Sequence, residues 1–353
     1  MQSQISSPMS PLSGIRIVEF EGIGPGPLTG FMLMQMGADV TVVGRPGAGA
    51  LPDELTPKEG ALLSRGKRRV TLNLKREEDK EHALDLVAQS DGLIEGNRPG
   101  VMERLGLGPD VCGKRSPRLV YGRMTGWGQD GPLAQAAGHD MNYVALTGLM
   151  SLTERPGHPP MLPPTVVGDA AGALGFAFGM VSALLGARST GRGCVVDGAI
   201  VDVLAMLSPL VQLIRQGGGL DGGEPSVFHD SPFYDRYQCS DRRYITVGAI
   251  EPSFYALLLK QLELTDVDPA QQMNKSLWPS LKARIAQRFA SKPSAHWNAL
   301  MEGTDSCFAP VLNMAEAASH PHNVARGLYS VTEQGDIETA RGMRFLPLHC
   351  AEP

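Results

Sequence analysis

Ile15-Arg16-Ile17-Val18-Glu19-Phe20, then Gly22-Ile23-Gly24-Pro25-Gly26-Pro27, an apolar stretch to Met36, and Gly37-Ala38-Asp39-Val40-Thr41-Val42-Val43 follow one another near the start of the chain. The order is a β-branched run, a Gly/Pro turn, a helical stretch and a second β-branched run. Two strands joined through a helix run parallel, because a parallel pair needs a crossover of a dozen or more residues. The pattern recurs. Val70 to Leu74, Gly92 to Glu95, Leu119 to Met124 and Cys194 to Asp197 read as strands, and Glu77 to Ser90 as a helix. Ala170 to Leu185 reads as a buried helix with Asp169 at its N-cap, and Ile200 to Arg215 as one long helix ending at Gln216-Gly217-Gly218-Gly219. The fold class is α/β. The first turn is not a dinucleotide loop, since two prolines intrude and the G-x-G-x-x-G spacing is not met.

Beyond the glycine run the character changes. Tyr234 to Cys239 and Tyr244 to Val247 form a hairpin signal through Ser240-Asp241, and helical segments follow at Ser253 to Leu262 and Pro279 to Ala290. The reading divides the chain into a large domain over 1–198, a helical and Gly-rich linker over 199–224, and a small domain over 225–325. Residues from about 326 to 353, through Phe345-Leu346-Pro347-Leu348, return to complete the large domain.

A chain of 353 residues with 42% hydrophobic content can bury two cores. Its net charge of −5 gives no broad electropositive surface, which excludes nucleic acid and anionic membrane as expected partners. The 42 glycines and 27 prolines imply that turns and loops build the site. Cys112, Cys194, Cys239, Cys307 and Cys350 are odd in number and scattered, so free thiols are expected. The start lacks a basic segment followed by an apolar one, and no run of eighteen uncharged apolar residues is read; the expected location is the cytoplasm, without a membrane.

His139, in Gly138-His139-Asp140-Met141-Asn142-Tyr143, stands thirty positions before Asp169 of Val167-Gly168-Asp169. One imidazole and one carboxylate are what two-base proton chemistry requires: one group removes a proton from one face of a carbon and another returns a proton to the opposite face. Alone, Asp169 reads equally as a helix cap and His139 as an ordinary loop histidine. Glu251 also precedes a helix, where a carboxylate is favoured on electrostatic grounds alone. Arg45 and Arg98 follow strands, at the carboxyl ends where α/β folds bind ligands, and guanidinium groups bind phosphates well. Arg65 and Lys75 complete the basic set. His229-Asp230 and His320-Pro321-His322 lack metal-ligand spacing, so no metal is expected.

Arg123-Met124-Thr125-Gly126-Trp127-Gly128-Gln129-Asp130-Gly131-Pro132-Leu133, leading into the His139 hexapeptide, resembles the signature of the α-methylacyl-CoA racemases in the family III CoA-transferase superfamily. The resemblance runs from Pro11-Leu12-Ser13-Gly14 to His320-Pro321-His322-Asn323-Val324-Ala325-Arg326-Gly327. It implies a Rossmann-like large domain joined by two linkers to a smaller α/β domain, in an interlocked homodimer. The implied reaction epimerises C2 of a 2-methylacyl-CoA thioester through an enolate, with His139 and Asp169 as the two bases. Glu251 would orient His139 from the partner subunit. Arg45, Arg65, Lys75, Arg98 and Gly138 would hold CoA, and Ile23, Gly24, Pro25, Tyr143, Thr165 and Tyr234 would line the acyl pocket. No cofactor is needed, CoA being part of the substrate. N–H groups at the helix start would keep Asp169 anionic and serve the enolate oxygen.

Two alternatives stand beside it. In a CoA-transferase Asp169 would be a nucleophile, although such transferases generally lack the histidine; a non-catalytic acyl-CoA-binding protein would use neither base. The chain departs from the racemase pattern at Thr165, where an asparagine usually bonds the catalytic Asp and a hydroxyl would take its place. It departs again at His229-Asp230-Ser231-Pro232-Phe233-Tyr234, where L-D-G-G-x-P-F-Y is common.

Overall fold

The computed structural model describes residues 10–47, 62–155, 159–220, 225–333, 335–339 and 342–345. Contacts divide the chain into two compact units, Met1–Ser208 with Thr339–Pro353, and Pro209–Glu338. The first contains β1 (Arg16–Phe20), α1 (Pro25–Gln35), β2 (Asp39–Gly44), β3 (Arg68–Thr71), α2 (Glu77–Ala88), β4 (Gly92–Glu95), α3 (Val101–Arg104) and α4 (Pro109–Arg115). It continues through β5 (Val120–Thr125), α5 (Asp140–Leu146), α6 (Ala171–Thr190), β6 (Cys194–Ala199) and α7 (Ile200–Leu207).

The six strands are parallel, in the order β3-β2-β1-β4-β5-β6. This is the Rossmann order. Successive side chains go to opposite faces, and the core sorts accordingly. Ile17, Val40, Ile94 and Val120 join Phe176 and Met180 of α6 on one face, while Val18, Leu93 and Tyr121 join Leu84, Val87 and Met102 on the other. The order reverses between β1 and β4, so the loops leaving these two strands diverge and open a crevice at their carboxyl ends.

Two sequence expectations change here. The helix expected over 200–215 is two, α7 and α8 (Pro209–Gln216), because Pro209 lacks the N–H a continuous helix needs. Asp169 does not cap α6: it lies inside a π-helical turn, Val166–Ala170, and α6 proper starts at Ala171. With that turn, Val166–Thr190 forms a 25-residue helical stretch long and apolar enough to cross a membrane, which the sequence reading did not anticipate. Within the first unit it packs on α1, α7, β5 and β6, burying Gly172, Ala173, Phe176, Ala177, Met180 and Leu184. Cys112, Cys194, Cys239 and Cys307 are unpaired, and Cys350 lies outside the described residues, as do residues 346–348 of the closing stretch.

The second unit opens with α8 and continues with α9 (Val227–Asp230), β7 (Tyr234–Gln238), β8 (Tyr244–Gly248), α10 (Pro252–Gln261), α11 (Trp278–Ala290), α12 (Ser294–Met301) and β9 (Phe308–Pro310). Further short elements follow, from α13 (Met314–Ser319) and α14 (Pro321–Arg326) to the pair β10 (Tyr329–Val331) and β11 (Ile337–Thr339). The expected hairpin forms, and β9 adds to it antiparallel against β8. Three residues are too few to show alternation, so β9 has no sequence signal. An aromatic core of Phe233, Tyr237, Tyr255, Trp278, Phe289 and Trp297 covers this sheet.

Glu19 points from β1 toward α1, where Gly30 leaves room for its carboxylate. Lys67 Nζ donates to Glu19 Oε2 at 2.7 Å and to the Pro27 carbonyl at 2.8 Å, and both side chains are at most 3% exposed. Burial pushes the Glu19 carboxyl up to about 7 and the Lys67 amine down, against their mutual attraction. Removing one partner strands the other charge, at a cost of about 3–5 kcal/mol, whereas replacing both is often close to neutral. Lys67→Met and Glu19→Met should each lose about that much, and the double variant much less than the sum. Urea unfolding at pH 8, above the Glu19 titration, measures this; additive losses would show that the pair is not coupled.

Candidate active site

The site grows from the carboxyl end of β5. After Thr125 the chain passes Gly126 and Trp127, and Tyr143 packs edge-on against Trp127 with ring centroids 4.7 Å apart. The Tyr143 hydroxyl donates to the Gly138 carbonyl. His139 is thereby delivered to the N-cap of α5: its N–H donates to Asn142 Oδ1 at 3.0 Å, and its carbonyl accepts from Asn142 N at 2.8 Å. The backbone of His139 is fixed, while the residue stays exposed to solvent.

Asp169 comes to the same place from the π turn, which packs on α5, α1 and α7. A π turn carries one residue more than an α-helix would, and such turns frequently mark functional positions. Thr165 enters it with a φ of +61°, a left-handed conformation that a β-branched residue adopts only under strain. The Thr165 carbonyl accepts from Ala170 N at 2.9 Å. Asp140, next to His139, closes the arrangement: its Oδ1 accepts from Gly168 N at 2.8 Å and Asp169 N at 2.7 Å, and its Oδ2 from Thr165 N at 3.3 Å. A Cβ on Gly168 would lie 2.4 Å from Asp140 Oδ1, so this approach requires glycine.

These contacts correct the electrostatic expectation. The Gly168 and Asp169 N–H groups serve Asp140, and the next one, of Ala170, serves the Thr165 carbonyl, so these three neither hold Asp169 down nor remain free for a substrate oxygen. Asp169 is shifted the other way: burial raises its proton affinity, the Asp140 charge adds to this, and His139 opposes it. The Thr165 hydroxyl donates no hydrogen bond to the carboxylate; Thr165 acts through its backbone instead.

Gly24 supplies the third wall. It caps α1 with φ 67° and ψ −122°, a region essentially reserved for glycine, and a Cβ there would stand 3.3 Å from Asp169 Oδ2. Ile23, beside it, is exposed, and Pro25 opens α1. His139, Asp169, Gly24, Gly138, Tyr143 and Thr165 thus belong to one neighbourhood of the first unit.

The basic residues distribute differently. Arg45 follows β2, with its N–H on Glu21 Oε2 at 3.0 Å, and its side chain is exposed. Lys75 follows β3 and Arg98 follows β4, both exposed. Arg65 stands ahead of β3 rather than behind it. Behind the Arg98 loop a buried network went unread in the sequence. Glu95 Oε2 accepts from Asn97 N at 2.7 Å, Glu95 Oε1 accepts from Arg123 Nε at 3.1 Å, and Arg123 also donates to Glu103. Glu251 and Tyr234 lie in the second unit. Glu251 is exposed at the cap of α10, and Tyr234 opens β7 opposite Gly248. The other missed residue is Asp140; the only sequence signal for it was its place beside His139.

The chain matches CoA-transferase family III over residues 12–351 and belongs to that family. Within it, the chain is 38% identical over 336 residues to the α-methylacyl-CoA racemase of Homo sapiens, covering 92% of this chain and 84% of that protein. It is 29% identical over 339 residues to the acetyl-CoA:oxalate CoA-transferase of Acetobacter aceti, covering 92% and 86%. The crystal structure of Rv3272 from Mycobacterium tuberculosis is similar with a TM-score of 0.79 at 28% identity, covering 96% of this chain and 94% of that one. The protein is therefore an enzyme of the family III CoA-transferase superfamily, with acyl-CoA as the class of substrate that family handles.

Gly24→Ala should lose about 1–3 kcal/mol from backbone strain and should depress turnover further than Gly14→Ala, where φ is also positive but an added methyl meets nothing within 4 Å. Thermal unfolding and kcat separate the two effects. Equal loss of turnover in both variants would exclude crowding of the Asp169 carboxylate as the cause.

Proposed function

We propose that the protein inverts C2 of 2-methylacyl-CoA thioesters by moving one proton off and another on. The observation that carries this reading is the pairing of His139 with Asp169, two acid–base groups of different chemistry brought together because Asp140, the residue after His139, accepts the Asp169 amide at 2.7 Å. One proton shared between them leaves one base empty and one acid loaded, so either epimer meets a competent partner. The raised affinity of Asp169 suits it to accept a proton from a weak carbon acid and to return one.

The enolate oxygen needs donors. With the Gly168 and Asp169 amides engaged, the N–H groups of Asp140 and Met141, which open α5 beside His139, take that role, since the first amides of a helix have no intrahelical acceptor. Arg45, Lys75, Arg98 and Arg65 are assigned to the CoA phosphates and Gly138 to the CoA chain. Ile23, Gly24, Pro25, Tyr143, Thr165 and Tyr234 are assigned to the acyl group. The reaction draws on no cofactor beyond the CoA of the substrate.

The working form in this reading is a homodimer in the cytoplasm, in which Glu251 of the second unit orients His139 of the other copy. The exposed Leu174, Phe178 and Leu185 on α6 support it, because the first unit leaves this apolar stripe uncovered. Co-expression of His139→Ala with Glu251→Ala should restore one complete site per mixed dimer, to about a quarter to a half of the wild-type rate if sites act independently. Mixed dimers without activity would remove the shared site.

The similarity to the acetyl-CoA:oxalate CoA-transferase supports a second reading. Asp169 would attack the thioester carbonyl, forming a mixed anhydride and releasing CoA thiolate; the thiolate would then attack the aspartyl carbonyl and release the free acid. Hydroxylamine decides between them. During turnover with a 2-methylacyl-CoA the proton-transfer reading expects Asp169 unmodified by mass spectrometry, while a hydroxamate stoichiometric with enzyme would establish transfer.

A further inference from the structure

Asp140 is neither of the two bases, yet it touches the backbone that carries one and adjoins the other in sequence. Its carboxylate accepts three amides, from Thr165, Gly168 and Asp169, at 3.3, 2.8 and 2.7 Å. An ordinary capping side chain bonds amides two or three residues ahead of it. This one reaches across 28 and 29 residues to Gly168 and Asp169. The segment it reaches is the one that needs holding, with a π turn and a threonine in left-handed backbone. Gly168 has no side chain where one would collide with Oδ1.

We propose that Asp140 is a positioning residue: by binding the amides of the 165–169 turn it fixes the backbone of Asp169 to that of His139, and it keeps a second carboxylate beside Asp169 during proton transfer. The second part rests on the two-base reading; the clamp does not. The charged groups that bear on Asp169 are Asp140 and His139, the first favouring the protonated carboxyl and the second the ionised one, and the Tyr143 hydroxyl of α5 faces it as a neutral group whose own proton affinity burial and the Asp169 charge raise. The Gly24 turn of α1, packed on the same segment, contributes no charged side chain.

Asp140→Asn keeps an oxygen for the Gly168 and Asp169 amides and removes the charge, whereas Asp140→Ala removes both. The sign follows: without its negative neighbour Asp169 ionises more easily, and the acid limb of the kcat/KM profile moves to lower pH.

The test combines hydrogen–deuterium exchange by mass spectrometry over the 165–170 segment with pH–rate profiles of wild type, Asp140→Asn and Asp140→Ala. In Asp140→Ala the segment should exchange at least about tenfold faster while the sheet strands are unchanged. Its kcat should fall at least about a hundredfold with KM within about threefold, as loss of alignment rather than of binding predicts. Asp140→Asn should retain slow exchange and shift the acid limb down by roughly half a pH unit or more. Unchanged exchange in Asp140→Ala, or an Asp140→Asn profile superimposable on wild type, would overturn the assignment. A wild type that fails to epimerise, with exchange still accelerated in Asp140→Ala, would sink the two-base reading and leave the clamp standing.

Discussion

A parallel sheet must be covered on both faces, and from this constraint the placement of the chemistry follows. Ile17 and Val18, Leu93 and Ile94, and Val120 and Tyr121 alternate into two separate cores, so the middle of the sheet has little room for polar groups. Groups that must meet water or substrate are left to the loops at the strand ends. Where the strand order reverses between β1 and β4, those loops separate. The Gly24 turn leaves β1, the Arg98 loop leaves β4, and the His139 loop descends from β5.

A few charged side chains, in the interior or at its edge, hold these loops. Lys67 joins Glu19 to the Pro27 carbonyl under the Gly24 turn. Glu95 joins Arg123 to the Asn97 amide under the Arg98 loop. Asp140 joins the turn of Asp169 to the helix of His139. All three carboxylates accept backbone or cationic donors, which is how the buried charges of Glu19 and Glu95 are tolerated, while Asp140 is half-buried. Each spans elements that are distant in sequence and so fixes one loop against another.

This explains what the sequence disclosed and what it hid. The strand at Gly92 to Glu95 and the first helical crossover were legible because apolar periodicity and glycine punctuation are local signals. Pro209 was a local signal too, and its helix-breaking effect should have divided the 200–215 segment. His139 and Asp169 stood out only through their flanks, which resemble a family of known chemistry. The role of Asp140 depends on Gly168 lying against it, and a contact across 28 residues leaves no periodic trace. The π turn was hidden for a similar reason: Val166 to Ala170 reads as the start of α6, and the extra residue is imposed by tertiary bonding. That hidden geometry reversed the expected charge balance at Asp169.

The proposed function requires that His139 and Asp169 address opposite faces of one carbon. Its most direct measurement is deuterium incorporation at C2 of each pure 2-methylacyl-CoA epimer in D2O, followed by NMR and chiral separation. Wild type should label C2 while driving both epimers to the same mixture. His139→Ala and Asp169→Asn should lose inversion by about 10²–10⁴-fold, with residual exchange confined to opposite epimers. Absence of label and of inversion in the wild type, together with transfer of CoA to a free acid, would contradict it.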